Sequence, residues 1–213
     1  MTIRVMIADD HGVLAEGLRN LVEAQPDMKG IALVADGREA VRRAIEDNPD
    51  VVLMDIAMPI LNGTEATRII RDRCPGIRVI MLSAYSDPIH VYRALQAGAA
   101  GYVAKKSVAK DVIDAIRAAR EGKRYLSAPL SESLIDHVVH KAGGDDPLLQ
   151  LSSRERQVLQ MLSEGHSVAE IAEMLSLSPK TVETYRARMM DKLGIDDLAT
   201  LVRFAIRQGL TPL

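Results

Sequence analysis

Cysteine is almost missing from this chain. Cys74 is the single one in 213 residues and sits beside Pro75, so it has no partner for a disulfide or a metal pair and reads as a small structural residue. Also missing are any apolar run of about 18 residues, a signal-peptide pattern, a repeat and a low-complexity tract. These absences exclude a membrane-spanning helix and lead to the expectation of a soluble, cytoplasmic protein without membrane partners. A surplus of one charge is lacking too: 27 Lys and Arg face 29 Asp and Glu, for a net charge of −2. Total charge therefore does not mark a nucleic-acid binder, and any affinity for DNA must come from where the charges lie.

What is present is a change of pattern along the chain. Hydrophobic residues make up 47%, enough for real cores in two modest domains. Strand-like runs near 3–8, 31–36, 51–54, 77–82 and 101–103 alternate with helical patterns near 12–24, 38–47, 63–73, 88–97 and 108–121. That order predicts an α/β domain, a doubly wound five-stranded parallel sheet over residues 1–125. Beyond residue 130 only helical periodicity remains, near 131–141, 152–164, 168–175, 179–193 and 197–208, which predicts an all-α domain over 148–213. Between them, 126–147 is expected to be a linker with one helix and a hinge at Ala142 to Pro147, rich in Gly and Asp.

Four of the predicted strands end in residues that suit a phosphate and a metal ion. Val5 to Ala8 runs into Asp9 and Asp10, Val51 to Met54 into Asp55, Val79 to Leu82 into Ser83, and Gly101 to Ala104 into Lys105. In an open parallel sheet, ligands sit beyond the carboxyl ends of the strands at the topological switch point. Three carboxylates gathered there repel one another without a cation, and Mg2+, which takes oxygen ligands, suits Asp9 or Asp10 together with Asp55. The chemistry that needs such a set is phosphoryl transfer to a carboxylate. Asp55 is then the nucleophile, Lys105 a fixed positive charge for the phosphoryl oxygens, and Ser83 a hydrogen-bond donor to them. A single Asp after a strand is as often a turn former or helix cap, so the joint placement carries the reading.

On these residues, the first 125 or so resemble a response-regulator receiver domain, a flavodoxin-like fold. The resemblance implies that Asp55, within Asp55-Ile56-Ala57-Met58-Pro59, is the phosphoacceptor. It implies further that Asp9, Asp10, Asp55 and the backbone carbonyl of Ala57 hold Mg2+, that Lys105 and Ser83 assist catalysis, and that Ser83 and Tyr102 form the switch. Lys106 departs from the family, where an acidic residue or a proline often follows the lysine.

In the second half, Ser178 and Pro179 form a cap and first turn for a helix running to Leu193, with Val182 and Met189 facing inward and Lys180, Thr184, Ala187 and Arg188 facing out. A short helix over 168–175 and the turn at Ser176 to Ser178 precede it, in helix-turn-helix order. Packed helices with a solvated charged face would look the same. The segments from Leu151 to Leu159, Glu170 to Ala172, Thr181 to Tyr185 and Lys192 to Gly194 resemble the LuxR-type helix-turn-helix over essentially all of 150–210.

Both halves together resemble a two-component response regulator of the NarL/FixJ class. The resemblance implies a transcription factor phosphorylated by a sensor histidine kinase, binding promoter DNA as a homodimer and working with RNA polymerase. Glu183, Thr184, Ala187 and Arg188 are the expected base-facing residues, and Lys180, Thr181, Tyr185, Arg186 and Lys192 the expected phosphate contacts. Glu183 replaces a lysine of relatives and is expected to alter sequence preference. Two other readings compete. A phosphohydrolase needs an acid two residues past its nucleophile, and Ala57 stands there, so only slow self-phosphorylation and self-dephosphorylation are expected. A phosphorylation-independent regulator or protein-binding adaptor is the alternative, against which the complete acidic set speaks.

Overall fold

Val5–Ala8, Val51–Met54 and Val79–Leu82 are buried on both faces, which is why they read as continuous apolar runs and not as an alternation. A computed structural model, describing residues 2–84, 87–106, 109–127 and 146–211, shows them at the centre of a parallel sheet. The described residues divide into two compact units, one holding every strand and one whose regular elements are all helical.

In the first unit β1 (Ile3–Ala8), β2 (Met28–Val34), β3 (Val51–Asp55), β4 (Arg78–Ser83), β5 (Gly101–Ala104) and β6 (Tyr125–Leu126) lie in the order β2-β1-β3-β4-β5-β6. Each intervening connection carries a helix: α1 (Gly12–Glu23), α2 (Gly37–Asp47), α3 (Gly63–Arg73), α4 (Pro88–Gln96) and α5 (Ala109–Arg120). Alternation of side chains along the strands divides the core. Val5, Ile7, Leu53 and Ile80 pack with Leu18 of α1 and Ile116 of α5, while Met6, Val52 and Met81 point to the opposite face. Capping fixes the helix starts: Asp36 accepts from the Glu39 amide at 2.8 Å and Asn62 from the Glu65 amide at 3.0 Å, each cap contributing about 1 kcal/mol.

Two expectations need correction. The sheet has six strands and not five, because Tyr125–Leu126 pairs in parallel with Gly101 and Tyr102; two residues are too short to leave a periodic signature. The second strand begins at Met28, not near 31, and stops at Val34. Lys29 and Gly30 hide its start, a register shift lies opposite it between Val5 and Met6, and Asp36 is used as the cap of α2. The helix expected near 131–141 and most of the linker lie outside the described residues.

The second unit opens with a single 3-10 turn, Pro147–Gln150, followed by α6 (Ser153–Ser163), α7 (Val168–Leu175), α8 (Pro179–Leu193) and α9 (Leu198–Arg207). Helices α6 and α7 start with reciprocal capping boxes, Ser152 with Glu155 and Ser167 with Glu170. Val158 and Leu159 of α6, Ile171 of α7, Val182 and Met189 of α8 and Leu201 of α9 are fully buried together. Between α7 and α8, Ser176 takes a left-handed φ of 55° and the Leu177 amide returns to the Ala172 carbonyl at 2.8 Å, so the chain reverses in three residues.

Candidate functional site

Register brings the four strand ends level. Ala8 lies opposite Met54, Asp55 opposite Leu82 and Ser83 opposite Ala104, so Asp9, Asp55, Ser83 and Lys105 stand on neighbouring strands at one end of the sheet. The chain turns outward from β1 to β2 and then crosses to β3, which puts the switch point between Asp9 and Asp55.

Asp9 and Asp55 are buried, at 2% and 3% exposure, while Asp10 is open to solvent. The Lys105 ammonium lies 2.8 Å from Asp9 Oδ2 and 3.0 Å from Asp55 Oδ1. Its backbone is anchored by an amide hydrogen bond to the Ser83 carbonyl at 2.7 Å. Asp55 Oδ1 also accepts from the Ile56 amide at 2.8 Å, whereas Asp55 Oδ2 is buried with no hydrogen-bond partner. Burial pushes the Asp55 carboxyl above its usual range; Lys105 opposes this, and the charges of Asp9 and Asp10 add to it. Burial pulls the Lys105 ammonium down, but its carboxylate partners more than offset that and keep it charged.

An oxygen from each of Asp9, Asp10 and Asp55 and a ring nitrogen of His11 lie within 4.8 Å of one another. These hard oxygen donors and the unpartnered Asp55 Oδ2 fit a small divalent cation. His11 was not singled out in the sequence; its position directly after the Asp pair was the available signal. Ala57 stands, half-buried, in the loop that joins β3 to α3. That loop is tightly constrained: a Cβ on Gly63 would lie 1.8 Å from the Asp55 carbonyl oxygen, so no other residue fits. Ile60 holds a left-handed φ of 67°, which for a β-branched residue stores about 1–3 kcal/mol of strain.

Ser83 and Tyr102 are completely buried. Burial drives the Tyr102 phenol far above its ordinary pKa; the neighbouring Ser83 side chain lowers it and the nearby Asp55 charge raises it.

In the helical unit, Ser178, Lys180, Thr181, Thr184, Tyr185 and Arg188 line one groove along α8. Glu183 and Ala187 are exposed on the same helix, and Arg186 reaches Glu183 at 3.5 Å. Lys192 is engaged elsewhere: its ammonium lies 2.7 Å from the buried Glu155 carboxylate. Ser178 was recognised only as a cap, which hid its place in the groove; it does cap, accepting from the Thr181 amide at 3.1 Å.

A doubly wound sheet with an acidic, lysine-bearing carboxyl edge, followed by a helix-turn-helix unit, defines a phosphoacceptor regulator that binds DNA. Residues 5–117 match the response regulator receiver domain and residues 149–205 the bacterial regulatory proteins of the luxR family, so the chain belongs to the response regulators with a LuxR-type DNA-binding domain. It is similar to response regulator UvrY of Escherichia coli K12, 38% identical over 98% of this chain and 95% of that one. Oxygen regulatory protein NreC of Staphylococcus aureus JH9 is 35% identical over 98% and 99%. RcsB of Salmonella enterica serovar Typhimurium, solved bound to promoter rprA in the presence of the phosphomimetic BeF3-, superposes with a TM-score of 0.65 at 25% identity, over 96% of this chain and 98% of that one. Another structure holds two RcsB dimers on two parallel DNAs, with a TM-score of 0.60 at 25% identity over 96% and 98%. Among the described residues, no helix is long and apolar enough to cross a membrane.

Proposed function

We propose that Asp55, in a receiver spanning 1–125, accepts a phosphoryl group from a partner histidine kinase and thereby controls promoter binding by residues 148–213, joined through the linker 126–147. The observation that carries this reading is the buried Asp55 carboxylate, with one oxygen on Lys105 and the other without a partner. In the transfer, the P–N bond of a kinase phosphohistidine breaks as a P–O bond forms at the Asp55 carboxylate, and the departing imidazole nitrogen takes a proton from solvent. Asp9, Asp10, Asp55 and the carbonyl of Ala57 would hold Mg2+, whose charge would offset repulsion among the carboxylates and phosphoryl oxygens. Lys105 stays charged throughout and turns toward the phosphoryl group. With Ala57 in place of an acid, the acyl phosphate decays slowly by self-hydrolysis and the protein acts as a switch, not as a turnover enzyme.

Ser83 and Tyr102 read the phosphoryl group. Reversing a 1:99 population needs about 5.5 kcal/mol, and two charge-assisted bonds, from Ser83 and Lys105, are worth about 1.5–3 kcal/mol each. Tyr102 is already fully buried, so phosphorylation stabilises this inward arrangement by population shift instead of building it anew. In the second unit, Glu183, Thr184, Ala187 and Arg188 face base edges, and Lys180, Thr181, Tyr185 and Arg186 hold phosphates. Lys192 shares its ammonium with Glu155, which weakens what it can give to a phosphate. The RcsB dimers on DNA support a homodimer here; RNA polymerase as a neighbouring partner follows only from the family resemblance.

The test is incubation with acetyl phosphate and Mg2+, followed by borohydride reduction and peptide mass spectrometry. Homoserine at position 55 is the expected product. Absence of any acyl phosphate, or its appearance at another carboxylate, would overturn the assignment and favour the adaptor reading.

A further inference from the structure

His11 occupies the N-cap of α1, yet its side chain makes no capping bond. The imidazole turns instead toward the acidic pocket: Nδ1 lies 2.8 Å from Asp10 Oδ1 and 3.3 Å from Asp9 Oδ1. The backbone holds it there, since the His11 amide donates to Asp9 Oδ1 at 2.9 Å. Its ring nitrogen and one oxygen from each of Asp9, Asp10 and Asp55 all lie within 4.8 Å of one another. Asp55 adds an independent sign that the cluster awaits a ligand, because its Oδ2 is buried without a partner.

An all-oxygen set suits Mg2+, which gains little from imidazole and keeps several waters. A nitrogen donor changes the preference, because imidazole suits borderline ions and affinity rises along the first transition row. We propose that His11 is a fourth donor of this pocket and makes it a site where a borderline divalent cation, of the Co2+ or Ni2+ class, competes with Mg2+. The inference rests on the reading that Asp9, Asp10 and Asp55 hold a cation. Its consequence is selectivity: the choice of cation at the phosphoryl-transfer pocket would depend on the residue at position 11. His11 is 67% exposed at its side chain, so replacing it leaves the core untouched.

The experiment is calorimetric titration of the full chain with Co2+ and separately with Mg2+, for the wild type, His11→Gln and Asp9→Asn, with the visible spectrum of the Co2+ complex recorded in parallel. His11→Gln is expected to weaken Co2+ binding by about tenfold or more and alter its spectrum, while Mg2+ affinity stays within about threefold. Asp9→Asn is expected to weaken both ions, which ties the Co2+ site to the acidic pocket and not to another histidine. Equal Co2+ affinity and spectra in wild type and His11→Gln would overturn the inference while leaving the Mg2+ reading intact. Loss of Co2+ binding in His11→Gln but not in Asp9→Asn would overturn it by placing the ion elsewhere, and failure of both ions to bind the wild type would overturn it together with the reading beneath it.

Discussion

Each unit buries a carboxylate against a lysine, and the two are treated in opposite ways. In the helical unit Glu155 is 3% exposed, and its Oε2 accepts from the Ser152 amide and from Lys192, both at 2.7 Å. Burial pushes its pKa up, but Lys192 and Ser152 pull harder and leave it below the usual carboxylate range. In the sheet unit Asp55 is equally buried and also meets a lysine, yet one oxygen has no partner and its pKa is held up. A satisfied buried carboxylate fastens α6 to α8; an unsatisfied one stores electrostatic free energy that a cation and a phosphoryl group can release. Stability is concentrated at the first and chemistry at the second.

Exchanging roles between these carboxylates is the sharpest way to break that contrast. Asp55→Asn should cut phosphoryl incorporation from acetyl phosphate by roughly a hundredfold or more, while melting of the sheet unit in Mg2+-free buffer moves to higher temperature. A lower melting temperature would show that Asp55 is structural. On the helical side, Arg188→Ala should weaken binding to selected DNA by about 1–3 kcal/mol, measured by fluorescence anisotropy. Lys192→Ala should cost less than about 1 kcal/mol in the same assay because its ammonium serves Glu155; equal losses would place both lysine and arginine on DNA. Glu155→Gln should destabilise the helical unit by about 1.5–3 kcal/mol in urea, the worth of hydrogen bonds to a charged group, with phosphorylation of Asp55 unchanged.

The smallest effect is the dependence on pH, where the two groups carry opposite signs. Glu155 has a lowered folded pKa, so its contribution is present above the ordinary value of 4.5 and is lost as pH falls through the lower folded one. Asp55 has a raised pKa, so without divalent cation its cost is absent below 3.8 and grows as pH rises through the folded value. Melts of Glu155→Gln and Asp55→Asn between acid and neutral pH should therefore deviate from wild type in opposite directions. Deviations of the same sign would remove the contrast.

The acidic pocket was legible in the sequence because a parallel sheet buried on both faces leaves apolar runs, and whatever follows each run must meet at the carboxyl edge. Asp9, Asp55, Ser83 and Lys105 needed only the strand order to be brought together. The helix starts were legible for a local reason, since Ser152, Ser167, Ser178 and Asp197 each bond an amide three residues on. What stayed hidden was either short or distant. Tyr125–Leu126 pairs as a sixth strand with no periodicity to announce it. Lys192 and Glu155 are separated by 37 residues, so nothing local shows that this lysine of α8 has a structural partner. The ring of His11 escaped because its neighbours Asp9 and Asp10 already explained the segment, and Ile60 carries its left-handed backbone where composition would favour glycine.

The central claim is that the unsatisfied carboxylate in one unit governs DNA binding by the other. Its most direct test is the affinity of the full chain for a DNA site selected from a random pool, measured with Mg2+ and with or without beryllofluoride, for the wild type and Asp55→Asn. The account predicts that the mimic tightens wild-type binding by about tenfold or more, a coupling within the usual range, and leaves Asp55→Asn unchanged. Equal affinity of the wild type with and without the mimic would contradict it.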